Sequence, residues 1–188
     1  MNLWISLFGQ WIGWLYGIVN DYGIAIILIT VCVRLLLLPL NLKQRKSMEQ
    51  LGKEDGTGTK GCLLSLVQFP IMLCLYHAIR QTAAVNVKTM LLPWVSSLLV
   101  RDPWLILPIV TLLIQLLPQL YPYFHIFEPL ELQRPSVGTM VTMLIMNGML
   151  ICVIPSGIGL YYFMSGLFQA VEQFVYYQGR VHRLKSAE

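Results

Sequence analysis

Charge is scarce in this 188-residue chain. Only 12% of its residues are Asp, Glu, Lys or Arg, against 56% hydrophobic, and its mean hydropathy is +0.66. A soluble domain is excluded on that balance, and the recurring long apolar stretches mark a polytopic membrane protein. Patterned cysteine is missing as well. Cys32, Cys62, Cys74 and Cys152 lie within or at the edge of apolar segments with no CxxC or Cys/His spacing. They read as small packing hydrophobes, and neither a metal site nor a disulfide framework is expected. No glycine-rich phosphate loop is present, so no cofactor and no covalent catalysis are expected. Residues 1–22 contain no Lys or Arg and no A-x-A-like site, which argues against a cleaved signal peptide.

The charges that are present are grouped. Lys43, Arg45, Lys46, Lys53 and Lys60 follow the first long apolar run, and Arg180, Arg183 and Lys185 stand near the C-terminal end. The positive-inside rule then sets the N-terminus outside and the 43–60 connection in the cytoplasm. An odd number of spans brings the second basic cluster back to the cytoplasmic side. Both clusters support one topology.

The expected architecture is all-α, with five transmembrane helices at about residues 23–42, 62–82, 104–120, 137–154 and 158–177. An amphipathic interfacial helix over residues 1–22 precedes them and a basic tail over 179–188 follows. Trp4, Leu7, Phe8, Trp11, Leu15 and Ile18 recur at helical spacing, and three tryptophans in the segment suit the outer interface. Gly9, Gly13 and Gly17 form a small-residue ridge. Pro39 lies near the inner end of the first span, and Pro108 and Pro118 interrupt the third. Residues 47–60 form a short polar connection, Arg101-Asp-Pro reads as a turn, and Pro155-Ser-Gly157 makes a tight outer turn that leaves spans four and five antiparallel neighbours.

Arg34 stands out inside the first apolar run. It lies ten residues beyond Ile24, about 15 Å along a helix and so roughly mid-bilayer, where an arginine costs about 2.5–3.5 kcal/mol on insertion scales. Glu172, near the inner end of span five, is its one acidic candidate within a span. An ion pair with Glu172, snorkelling over the 13.5 Å or so to the basic interface, and a water-filled cavity are the three ways to accommodate it, and water is the favoured partner. Thr30 lies one turn away on the same face. Gln68, Gln115, Asn147, Ser165, Gln169 and Glu172 are the other polar groups within the spans.

Three blocks resemble the YidC family of membrane protein insertases. The first is Asp21-Tyr-Gly-Ile-Ala-Ile-Ile-Leu-Ile-Thr30 leading to Val33-Arg34-Leu-Leu-Leu-Leu-Pro39 and Lys43-Gln-Arg-Lys-Ser-Met48. The second runs from Gly61 through Gln68 and Pro70 to Tyr76. The third is Ile154-Pro-Ser-Gly157-Ile-Gly-Leu-Tyr161-Tyr162, continuing to Gln169 and Gln173. They stand in the family's order and cover most of residues 23–177. The resemblance implies a five-helix bundle around a hydrophilic groove open to the cytoplasm. Arg34 matches the groove arginine, Thr30 a polar position one turn above it, and Tyr161 and Tyr162 the positions that contact a substrate helix. Gln68 and Gln115 fall on polar positions of spans two and three, and Asn147, Ser165 and Gln169 complete the candidate groove. The implied partners are newly made membrane proteins and the lipid bilayer, with the ribosome and the Sec translocon as candidates and no nucleic-acid binding of the chain's own. The implied location is the bacterial inner membrane. Three departures are visible. Residues 52–60 replace a long cytoplasmic hairpin, Gly166 stands where asparagine is common, and the basic tail is short.

Two rival readings stay open on the sequence. One is a transport or channel subunit with Arg34 lining an anion path, although no inverted repeat is evident. The other is a scaffold subunit that binds other membrane helices through the glycine ridge.

Overall fold

The computed structural model describes residues 2–51, 89–125, 130 and 136–186. Among these the secondary structure is helical, with no strand. The helices are α1 (Asn2–Val19), α2 (Tyr22–Leu51), α3 (Ile106–Leu120), α4 (Val137–Val153) and α5 (Ser156–Lys185), and a single 3₁₀ turn, Tyr121–Tyr123, follows α3. The chain divides into two compact units, Met1–Leu91 and Leu92–Glu188. The expected second span, with Gln68, Cys62 and Cys74, lies outside the described residues.

In the first unit, α1 packs against α2. Asn20 ends α1 in the left-handed conformation (φ 55°), and its N–H donates to the Tyr16 carbonyl at 2.8 Å. Asparagine tolerates that conformation better than most side chains, so the turn is written locally. Tyr16 and Tyr22 then stack across it with ring centroids 3.9 Å apart. Ile12 is buried while Trp11, Trp14 and Ile18 are exposed. A Cβ added at Gly13 or Gly17 would meet nothing within 4 Å, so that part of the ridge faces open space.

Helix α2 runs for 30 residues, about 45 Å, and the stretch Tyr22–Pro39 is long and apolar enough to cross a membrane. Pro39 does not end it. The helix continues to Leu51, through residues 47–51 of the expected polar connection. Proline removes one hydrogen bond to the preceding turn, and the Lys, Gln, Arg and Glu residues that follow are good helix formers.

In the second unit, α3 packs along both α4 and α5. The stretch Ile106–Tyr123 is also long and apolar enough to span, and Met140–Val153 is a shorter apolar helix. Pro108 interrupts nothing: it stands in the first turn of α3, where its missing N–H has no helical partner to lose. Ser156 and Gly157, read from sequence as a turn, already belong to α5. Glycine lets α3 approach α5 closely at two places. A Cβ on Gly159 would lie 3.0 Å from Leu107, and one on Gly166 would lie 3.3 Å from the Gln115 side chain. α5 continues unbroken to Lys185. Its last turns are held by Val181, which packs with Tyr121, Leu130 and Tyr177, while the Tyr121 hydroxyl donates to the Ala170 carbonyl at 2.9 Å.

Candidate functional site

Polar side chains gather in two settings within this apolar frame. One setting is the beginning of a helix. Asp21 precedes α2 and is buried, as is Thr89. Its Oδ1 accepts the N–H groups of Gly23 (2.7 Å) and Ile24 (3.1 Å), which are otherwise unsatisfied donors of the first turn, and also the Thr89 hydroxyl (2.7 Å). Its Oδ2 accepts the Met90 N–H at 2.6 Å. Burial alone would push the Asp21 carboxyl up. The four hydrogen bonds outweigh it and hold the group below the ordinary carboxylate value. Gly23 makes the approach possible, since a Cβ there would overlap the Thr89 side chain.

Asp102 repeats the device in the second unit. It too is buried. Oδ1 accepts the Trp94 indole N–H (3.1 Å) and the Trp104 N–H (3.0 Å), and Oδ2 reaches five residues ahead to the Leu107 N–H (2.8 Å) in the first turn of α3. Leu105, at the helix boundary, is left-handed (φ 55°). For leucine that costs about 1–2 kcal/mol, a strain the Asp102 bonds offset. The segment between is tied to α5 as well. The Ser156 hydroxyl and N–H both donate to the Val100 carbonyl (2.6 and 2.9 Å), and the Gly157 N–H donates to the Leu98 carbonyl (2.8 Å). Leu92, Val95 and Leu98 are buried beneath these ties. Neither Asp21 nor Asp102 is among the candidate site residues expected from sequence. Asp21 carries a local signal, an acidic residue directly ahead of a helix start, the position preferred for capping, whereas Asp102 stands four residues ahead of α3.

The other setting is the helix interior. Thr30 is 1% exposed, and its hydroxyl donates to the Ile26 carbonyl at 2.6 Å. Arg34 follows one turn later on α2 and is half-buried. In the second unit, Gln115 of α3 and Asn147 of α4 line one cleft between those helices, together with Gln119 and Met143. Tyr161, Ser165 and Gln169 follow one another at four-residue spacing on one face of α5. Tyr161 and Ser165 are buried, Tyr162 and Gln169 half-buried, and the Tyr161 and Tyr162 rings meet edge-on at 5.9 Å. The Ser165 hydroxyl finds no hydrogen-bond partner among the described residues. Thus Thr30 and Arg34 share one unit, and the α3, α4 and α5 candidates share the other. Gln68 lies outside the described residues. Among the described residues no three His, Cys, Asp or Glu side chains converge as a metal site.

A family model described as "60Kd inner membrane protein" matches residues 51–183. The chain is 27% identical over 198 residues to a "Membrane protein insertase YidC" of Caldanaerobacter subterraneus, covering 89% of this chain and 91% of the relative. It is 30% identical over 225 residues to "Membrane protein insertase YidC 1" of Lactiplantibacillus plantarum, covering 95% of this chain and 69% of that one. Among solved structures, an active YidC insertase crystal structure with its first transmembrane domain resolved shares the fold. The TM-score is 0.69 at 22% identity, over 90% of this chain and 45% of the solved one.

Proposed function

Because the chain belongs to the 60Kd inner membrane protein family, that of the YidC insertases, we propose that it is a membrane protein insertase of a bacterial inner membrane. Arg34 carries this reading. It stands twelve residues into α2 (34 − 22), about 18 Å from the start of a helix whose Tyr22–Pro39 stretch is apolar enough to span. A chain built only to cross lipid would place leucine there, and its relatives carry the insertase name.

In this reading the Asp21 and Asp102 ends face outward, and the basic ends of α2 and α5 face the cytoplasm. The family resemblance implies a groove reached by cytoplasmic water, and Arg34, Thr30, Gln68, Gln115, Asn147, Tyr161, Tyr162, Ser165 and Gln169 are the residues proposed for it. Carrying a hydrophilic tail across lipid is opposed by desolvation, several kcal/mol for each unsatisfied polar group, and a wet groove shortens the dry distance. Arg34, in reduced dielectric, attracts acidic residues of the tail more strongly than it would in water. The apolar segment that follows leaves along α3 and α5 into lipid, driven by transfer at about 25 cal/mol per Å². Insertion of this kind breaks no covalent bond. The partners are newly made membrane proteins and the bilayer, and the exposed Lys43, Arg180 and Arg183 are where a ribosome or a Sec translocon would meet the basic side.

The purified chain in lipid vesicles, offered a single-span substrate with a short hydrophilic N-terminal tail, tests this. Protease protection of the tail several-fold above empty vesicles is expected. No gain over empty vesicles would overturn the reading, and chloride flux without tail protection would favour the anion path instead.

A further inference from the structure

The turn that leads into α3 holds a cation away from its nearest counter-charge. Arg101 is exposed, and Trp104, three residues on, is 71% exposed. Among the described residues, no hydrogen bond or ion pair engages the Arg101 guanidinium or the Trp104 indole N–H. Asp102, next in sequence to Arg101, is buried and spends both carboxylate oxygens on the Trp94 indole and the N–H groups of Trp104 and Leu107. It is the one acidic residue between positions 89 and 125, so the Arg101 charge stands uncompensated along that stretch. The Asp102 bonds, with the Leu105 N–H donating to the Asp102 carbonyl at 3.4 Å, also fix the backbone from which Arg101 and Trp104 project.

Beyond the turn the surface is apolar. Ile106, Val110, Leu113, Leu117 and Leu120 form an exposed stripe at three- and four-residue spacing along α3, within a stretch long and apolar enough to span a membrane. From Ile106 to Leu117 the stripe is about 16.5 Å long, close to the roughly 15 Å of hydrocarbon in one leaflet. A guanidinium and an indole N–H at the head of an apolar strip of that length match a phospholipid, with its phosphate above and an acyl chain below. Guanidinium suits phosphate through its planar fork of donors, and tryptophan suits the boundary between headgroup and hydrocarbon.

We infer that Arg101, Trp104 and the exposed stripe of α3 form a binding site for one anionic phospholipid of the leaflet in which α3 begins. Arg101 and the Trp104 indole donate to its phosphate, and the stripe carries an acyl chain. A zwitterionic lipid is held less well, because its ammonium group offsets the attraction of its phosphate to an uncompensated arginine. The site goes beyond the insertase reading and requires only that α3 spans a bilayer.

The test reconstitutes the full chain in vesicles of phosphatidylcholine and phosphatidylglycerol in one fixed proportion, with acyl-chain bromine carried by one lipid or by the other. Bromine quenches tryptophan at close range, and the difference between the parent chain and Trp104→Phe isolates the Trp104 signal. Phosphatidylglycerol should be enriched at Trp104 about five-fold over its bulk share. The enrichment should fall to the bulk share in both Arg101→Gln and Arg101→Ala, each of which removes an exposed side chain with no hydrogen bond to lose. Bulk proportions in the parent chain, the result for a guanidinium held by water alone, overturn the proposal. So does an enrichment that survives both substitutions, which would assign it to the overall basic charge of the chain. A Trp104 quenched by neither lipid also overturns it and would place another protein surface there.

Discussion

Asp21 and Asp102 differ from the polar groups inside the helices in one respect: saturation. Asp21 accepts four hydrogen bonds and Asp102 three, every one to a named donor. Among the described residues, Gln119 and Ser165 each keep a buried oxygen with no partner, and Gln115 and Asn147 line one cleft. A saturated buried carboxylate fixes the helix start it caps. An unsaturated amide or hydroxyl in an apolar setting is costly to keep. The helix starts are tied by their carboxylates, and the interior groups are not tied in this way. Thr30 falls between the two, a buried hydroxyl already engaged with its own helix.

Substitutions at the ends should therefore act on stability. The largest loss is expected for Asp102→Ala, which strips the acceptor from the Trp94 indole, the Trp104 N–H and the Leu107 N–H. At about 1–3 kcal/mol per buried orphan donor, a loss of about 3 kcal/mol should appear as a lower thermal midpoint in detergent, read by tryptophan fluorescence. An unchanged midpoint would remove the distinction drawn here. Gly23→Ala forces Thr89 away from Asp21 and should cost about 1–3 kcal/mol. Gly13→Ala, facing open space, should be neutral or stabilise by up to about 1 kcal/mol. Equal effects of the two alanines would contradict the packing described.

The Asp21 network also sets a pH window. Its folded-state pKa lies below the ordinary carboxylate value. The stabilisation from the charged form is accordingly complete above the unfolded value of about 3.9 and is lost as pH falls through the depressed folded value. The difference in midpoint between the parent chain and Asp21→Asn should stay constant from pH 8 to pH 5 and shrink only below about pH 4. A difference that vanishes between pH 5 and 7 would show another group in control. The smallest effect is expected at Thr30. Thr30→Val keeps the shape and removes a hydroxyl bonded within its own helix, so it should reduce tail insertion less than Arg34→Ala does, in the same vesicle assay.

Much of the helix layout was legible in the sequence because apolar runs of spanning length have few alternatives. The Asn20-Asp21 boundary was legible in principle, since both residues favour the conformations they adopt. Helix continuation was harder to read. Pro39 and Gly179 look like terminators, yet α2 and α5 pass through them, α5 held by the packing of Val181 on Tyr121. That contact joins residues sixty apart and leaves no local signal. Of the site, Arg34 announces itself by its charge, but the closeness of Gln115 and Asn147 has no local signal, since they stand on different helices until one cleft brings them together. Asp102 likewise acts through a reach to Leu107 that only the folded turn creates.

The most direct measurement varies one charge on each side of the proposed attraction. The parent chain, Arg34→Ala and Arg34→Lys would be reconstituted and given two single-span substrates identical except that the translocated tail is acidic in one and neutral in the other. Arg34→Ala should lose about ten-fold in protection of the acidic tail, equivalent to about 1.4 kcal/mol, and little for the neutral tail, while Arg34→Lys keeps most of both. Equal protection of the acidic tail by the parent chain and Arg34→Ala would contradict the role assigned to Arg34.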